Sequence, residues 1–402
     1  MSGQPPRHRR GAAANSKANG KQSGLKRWFG ALGSRQRLGL GAGAVVVLAV
    51  IGVVLGAVLS SGNTKSGGHS TSTTTSTSKG ATTTTGTHPH GRLVDKNCPL
   101  TGVPAPGGKV PQRPALAVKI GNDPNSRPQS GIDDADIVYE EMAEGGITRY
   151  MAVFQCQSAP LIGPIRSVRW DDWNMLEQYG HAILAYSGGI DPWMQEAASL
   201  PFIYNANGSE YPTANAFYRY SSSTLPAVQG PPYNYYSSTA NLWALFPKVK
   251  KAPPQLFKFS KAIPKGATPL ASASIDFSGS SSVVWRWSAA LQKWLRFYGT
   301  SPDTDPSGHQ FRATDVIIQV VSTSLGPYSE SGPDSPDVES HMLGTGQAYV
   351  LRNGMIEKGT WSRPSGYSIT KFTFPDGKPL RLDPGNVWYE LVPNYCPVSF
   401  TS

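Results

Sequence analysis

Hydrophobic and polar positions change texture four times along the chain. Residues 38–59 (LGLGAGAVVVLAVIGVVLGAVL), from Leu38 to Leu59, are 22 positions without a charge, polar side chain or proline. About 20 apolar residues in a helix cross the hydrocarbon core of a bilayer, so this run predicts a single transmembrane helix. Residues 60–96 are dominated by Ser, Thr and Gly, with threonine runs at 73–75 and 82–85. Such a stretch cannot bury enough apolar area to offset ordering its backbone, so it is expected to be a disordered stalk.

From residue 97 the pattern becomes that of a folded chain. Residues 115–121 (ALAVKIG) read as a buried strand ahead of a turn-rich segment. Residues 136–142 (DIVYEEM) and 148–155 (TRYMAVFQ) read as two strands close enough to form a hairpin around Glu144-Gly145-Gly146. Residues 171–179 (DDWNMLEQY) place Trp173, Met175, Leu176 and Tyr179 at helical spacing behind an acidic start. Residues 182–186 (AILAY) read as a core strand stopped by Ser187-Gly188-Gly189. Asp191 is then placed to cap a helix with Pro192 at its first position. Strands alternating with helices predict an α/β N-terminal domain over residues 97–248.

Residues 249–274, rich in Pro, Lys and Ala, read as a linker. Over 275–398 the pattern is β, with strand-like runs at 282–287, 294–298, 315–321, 347–352 and 387–392. Asn353-Gly354 and Asp376-Gly377 are hairpin-turn signals. The expectation is a smaller, mainly antiparallel β C-terminal domain.

Charge refines this picture. Nine Lys and Arg residues precede the apolar run and two follow it up to residue 90, with no acid in residues 1–90. Cytoplasmic flanks carry the Lys/Arg excess, so residues 1–37 are expected to be a basic cytoplasmic tail of a single-pass membrane protein, with the domains extracellular. A cleaved signal peptide is the competing reading. Ala57-Val58-Leu59-Ser60 is small enough to be cut, but the apolar run is longer than the ~7–15 residues usual there. Residues 91–402 retain 26 basic and 26 acidic residues. The basic pI therefore belongs to the tail, anchor and stalk, and nucleic acid is not an expected partner of the folded part.

A series of short motifs runs in order through the folded region. Pro99-Leu100-Thr101-Gly102 is followed by Ala117-Val118-Lys119-Ile120-Gly121-Asn122 and Arg127-Pro128-Gln129-Ser130-Gly131. Next come Glu144-Gly145-Gly146-Ile147-Thr148-Arg149 and Ile162-Gly163-Pro164-Ile165-Arg166-Ser167. Gly359-Thr360-Trp361-Ser362-Arg363 and Pro384-Gly385-Asn386-Val387-Trp388 close the series. In this order they resemble the YerB-like lipoprotein family, a two-domain bacterial family, over about residues 99–393. The resemblance implies two-domain architecture and an envelope location, and no established reaction. Two departures stand out. Many members are lipoproteins, whereas no cysteine stands just after the apolar run here. The family often has Pro-His-Asn before a tyrosine, where this chain has Pro232-Tyr233-Asn234-Tyr235.

Candidate chemistry is sparse. Arg127, Arg166 and Arg169 lie in loops or at element ends, and arginine forms rigid bidentate bonds to carboxylate or phosphate. With Asn122 and Ser167 as neutral donors they could line an anion-binding cleft. The plainer reading pairs them with acids such as Asp134 or Asp136. Glu140 and Glu144 bracket the end of one strand and could be an acid/base pair acting on wall glycan. Salt bridges to Arg149 or Arg166 are the alternative. Ser187 lacks the first glycine of a nucleophile elbow, and its Gly-rich loop fits close approach of backbone to a ligand. His181, His309 and His341 are scattered, so no metal site is expected, and no cofactor motif is present. Cys98, Cys156 and Cys396 admit a Cys98–Cys396 or a Cys98–Cys156 disulfide. The function expected is that of an envelope accessory protein binding a cell-wall component or an envelope protein. A wall hydrolase or transferase and a non-catalytic scaffold are the alternatives, and the oligomeric state is left open.

Overall fold

The computed structural model describes residues 96–402 apart from 226, 279–280, 331 and 333–334. The expected tail, the transmembrane run and all but the last residue of the stalk lie outside the described residues. Among the described residues no helix is long and apolar enough to cross a membrane.

Five strands arise from the N-terminal half: β1 (Ala115–Gly121), β2 (Ile137–Met142), β3 (Thr148–Phe154), β4 (Ala182–Tyr186) and β5 (Ile203–Asn207). Helices α1 (Trp170–Leu176), α2 (Asp191–Ser199) and α3 (Thr239–Ala244) accompany them. The C-terminal half adds β6 (Ser272–Asp276), β7 (Ser282–Ser288), β8 (Lys293–Tyr298), β9 (Asp315–Leu325) and β10 (Val338–His341). It ends with β11 (Gly344–Arg352), β12 (Met355–Arg363), β13 (Lys371–Thr373), β14 (Val387–Pro393) and β15 (Val398–Thr401).

The expected α/β part and β part are both recognisable, but they share one sheet, in the order β13-β12-β11-β9-β14-β2-β3-β1-β4-β5. Strand β14 lies between β9 and β2 and runs parallel to both, pairing Val387 with Ile137 and Glu390 with Glu140. The hairpin expected between β2 and β3 is present, and β1, β4 and β5 are parallel neighbours. The C-terminal part is therefore not purely antiparallel. Nor is the segment 249–274 a loose linker. Leu256 and Phe257 are buried, Phe259 bridges to Leu382, and Arg352 donates to the carbonyls of Ser260 and Ala262.

Each face of the sheet is covered. In β2, Val138 and Met142 enter one core and Ile137 and Tyr139 the other, the period of two that a strand imposes. On the first face a small antiparallel sheet, in the order β8-β7-β6-β15, brings Trp285 and Trp294 down on β14. The rings of Trp285 and Trp388 meet edge-on at 5.2 Å. On the second face α1 and α2 pack through Trp173 and Trp193, 5.8 Å apart. All these strands and both cores lie in the compact unit His88–Ser402.

Two local expectations need correction. Asp191 is the first helical residue of α2, not its cap; Ile190 occupies the cap position and no side chain caps it. Strand β5, unforeseen, carries Asn205 and Asn207 at a sheet edge, where polar residues hide the strand signal. Of the two disulfide pairings considered, Cys98–Cys156 forms, and Cys396 is a buried free thiol whose Sγ lies 3.5 Å from the Phe277 carbonyl.

Candidate functional site

Ligands of sheets built from parallel strands bind beyond the carboxyl ends of those strands. Here that edge is formed by the ends of β1, β2, β4 and β5, and the segment 166–168 is laid into it. The Arg166 N–H donates to the Lys119 carbonyl at 3.0 Å, and the Arg166 carbonyl accepts from Ser187 N–H at 2.9 Å. Val168 N–H donates to Gly188 O, and Gly188 N–H donates to Asn207 Oδ1, each at 3.0 Å. The loop after β4 thus uses its backbone against this segment, and Gly188 needs its positive φ of 69° to do so. Gly121 matters for space: a Cβ there would fall 2.2 Å from Ser126 Oγ and 2.8 Å from Arg166 Cγ.

The three expected arginines do not act alike. Arg169 is buried, with Nε 2.9 Å from Glu144 Oε2 and Nη2 bonded to Glu144 Oε1. Nη2 also reaches Glu330 at 2.8 Å and Nε lies 3.5 Å from Asp337. Its carboxylates outweigh burial and raise its pKa further, so it is a saturated structural cation. Arg127 sits on the opposite face, stacked 3.5 Å over the Tyr298 ring and donating to the Asn122 carbonyl. Asn122 is fully committed: its amide donates to Thr148 and Glu140, and its oxygen accepts from Gln129 and Tyr298. Neither belongs to a cleft with Arg169. Arg166 is half-buried, reaches the Pro232 carbonyl at 3.3 Å and lies 5.0 Å from the Tyr233 ring. Ser167 and Ser187 are half-buried beside it, with no hydroxyl partner among the described residues.

The two glutamates do not converge either. Glu140 is wholly buried on the small-sheet side, where it accepts from Arg296 Nη2 at 2.6 Å and Thr148 Oγ1 at 2.6 Å. Glu144 lies among the arginines of the helix side. Burial pushes its carboxyl up, but Arg169 and Arg149 overcome this and hold it at about 2. A permanently ionised, salt-bridged carboxylate and a dry, arginine-paired one do not make an acid/base pair with substrate between them.

Two further residues complete the site: Lys119, which was not foreseen, and Arg149, expected only as a salt-bridge partner of the glutamates. Lys119, wholly buried in β1, is held between Glu141 and Asp172 Oδ1, the latter at 2.6 Å; burial pulls its pKa down. A lysine inside an apolar strand run is the sequence signal that could have marked it. Arg149 opens β3 opposite Gly121 and Glu141 and is 2 % exposed. Its Nη2 contacts Glu144 at 3.3 Å, while its Nε and Nη1 have no partner among the described residues, and neither does Nε of Arg166. Burial and the nearby Arg169 pull its pKa down to about 10, so it stays cationic at neutral pH. A buried donor left unpaired costs ~1–3 kcal/mol, more when charged. Three guanidinium nitrogens of this kind lie on Arg149 and Arg166. Among the described residues no group of three or more His, Cys, Asp or Glu side chains is arranged to hold a metal.

The architecture is that of a mixed sheet made by two sequence segments joined through β14. The segments match two family models in that order: "Protein of unknown function (DUF3048) N-terminal domain" over residues 100–252 and its C-terminal counterpart over 273–389. The chain belongs to this YerB-like two-domain family. It is 28% identical over 299 residues to "Putative lipoprotein YerB" of Bacillus subtilis (strain 168), covering 74% of this chain and 86% of that one. The crystal structure of the Bacillus subtilis YerB protein superposes with a TM-score of 0.62 at 23% identity. The match covers 75% of this chain and 99% of that one, and it shows a shared fold.

Proposed function

We propose that this protein is an accessory component of the bacterial envelope whose folded part binds a carboxylate-bearing wall fragment through Arg149 and Arg166. The name of its lipoprotein relative supports the location. In this reading the run from Leu38 to Leu59 takes the place of a lipid and anchors the chain, with its basic N-terminus in the cytoplasm. The observation that carries the binding reading is the set of unpaired guanidinium N–H groups on Arg149 and Arg166. Arginine's planar fork suits a carboxylate, and Arg166 supplies the solvent side of the site.

Thermal unfolding of residues 88–402 with muropeptides carrying free carboxylates tests it. A ligand at ~100 times its dissociation constant stabilises by about 2.7 kcal/mol, a readily measured rise in Tm. Arg166→Ala, at a half-buried position, is expected to abolish that rise while leaving the unliganded Tm nearly unchanged. No rise in the unsubstituted protein, or an equal rise in the variant, overturns the assignment.

A further inference from the structure

A second feature lies away from this edge. A cavity of about 1730 Å³ is bounded by the segment after the stalk and by residues 250–255, and a second of about 440 Å³ adjoins it through Gln255. Their walls carry Lys96, Lys109, Lys250, Lys251, Lys258 and Lys371, and no aspartate, glutamate or arginine. None of the six lysines has a carboxylate within 4.0 Å among the described residues. The folded region as a whole balances 26 bases against 26 acids, so this concentration of unpaired charge is a local asymmetry.

The walls are fixed. The Cys98–Cys156 disulfide and the bond from Gly102 N–H to Cys98 O hold the first segment. Phe259 packs against Gly102 so closely that a Cβ there would fall 2.4 Å from the ring. Pro253, Leu256 and Phe259 give the floor apolar surface.

We infer that this groove binds an extended polyanion of the phosphodiester type. Lysines act as point charges that suit phosphate without demanding the forked geometry an arginine imposes on a carboxylate. The larger cavity, at about 1730 Å³, exceeds the roughly 300–1,000 Å³ of a small-molecule site, so the groove accommodates a chain of repeating units. Several cations lining a concave, partly apolar trough match a polymer laid in it, whereas a flat lipid surface is met best by a convex patch. Six unpaired cations focus the field and draw a polyanion in at low ionic strength.

The test is binding of a soluble poly(glycerol phosphate) to residues 88–402, which retain every described strand and both cores but not the basic tail. Fluorescence anisotropy of end-labelled polymer is expected to show saturable binding that weakens as salt rises from 50 to 500 mM. Lys109→Glu/Lys251→Glu, two exposed positions from different segments, is expected to raise Kd at least tenfold. Lys358→Glu, exposed on the opposite face of the sheet, is expected to change it less than twofold. Absence of binding overturns the inference, and so does a loss of the same size with Lys358→Glu, which would mean diffuse attraction. Binding to phosphatidylglycerol vesicles but not to the soluble polymer would assign the lysines to a membrane surface and overturn the polymer.

Discussion

Glu144 shows how a single residue is decided by competing terms. Burial disfavours its charge and two guanidiniums favour it; the guanidiniums win, at about 2. A folded-state pKa depressed below the unfolded value near 4.3 contributes stability that is fully present above about pH 4.5. That stability is lost as the pH falls toward 2. Glu144→Gln is therefore expected to cost about 3 kcal/mol at pH 7, because Arg149 loses its only carboxylate partner among the described residues while staying buried. Urea midpoints taken at pH 7, 4 and 2.5 should show the gap between variant and unsubstituted protein closing on the acid side. A gap that stays constant down to pH 2.5 would mean that hydrogen-bond shape, not charge, is what Glu144 provides.

At the scale of elements, local pattern carried most of the reading. β1 and β4 follow from short apolar runs closed by turn residues, β2 from alternation, β3 from its place after the Glu144-Gly145-Gly146 turn, α1 from spacing of three to four, and the β11–β12 hairpin from Asn353-Gly354. What local pattern lacks is the partner: the chain gives no local sign that Arg169 meets Glu330 161 positions away, or that Asn122 is consumed by Tyr298 176 positions away. Arginines at loop ends therefore looked equally available, although one is saturated and another stacked. Arg149, the residue with spare donors, reads only as a salt-bridge partner of the glutamates, which it also is. The cysteines obey the same limit, since only the fold chooses Cys98–Cys156. That bond closes a span of 58 residues, for which loop entropy predicts about 4 kcal/mol of stabilisation. Cys98→Ser/Cys156→Ser is expected to lower the urea midpoint by that order. In the unsubstituted protein, thiol titration should find no reactive cysteine natively and one, Cys396, after denaturation. Two or more thiols released without reductant would contradict the pairing.

At the scale of the whole molecule the question is whether two sequence segments make two folding units. The sheet argues that they do not. β14 comes from the C-terminal segment, yet its backbone pairs with β2 over four positions, from Val387–Ile137 to Glu390–Glu140. Trp388 of the same strand packs with Trp285 of the small sheet and with Tyr150 of β3. Removing the C-terminal segment would bare the β2 edge and strip Trp285, Trp294 and Trp388 from the core they share with Val138 and Tyr150. A single cooperative transition is expected for residues 88–402, with far-ultraviolet circular dichroism and tryptophan fluorescence giving coincident urea curves. A fragment ending at residue 274 is expected to remain unfolded, because it keeps β2 but not the strand that pairs beside it. Two separated transitions, or a fragment with native-like ellipticity, would show instead that the N-terminal part folds first and that β14 docks onto a finished edge. The arginine cluster, which lies in the N-terminal segment except for Glu330 and Asp337, would then outlive the loss of its partner segment.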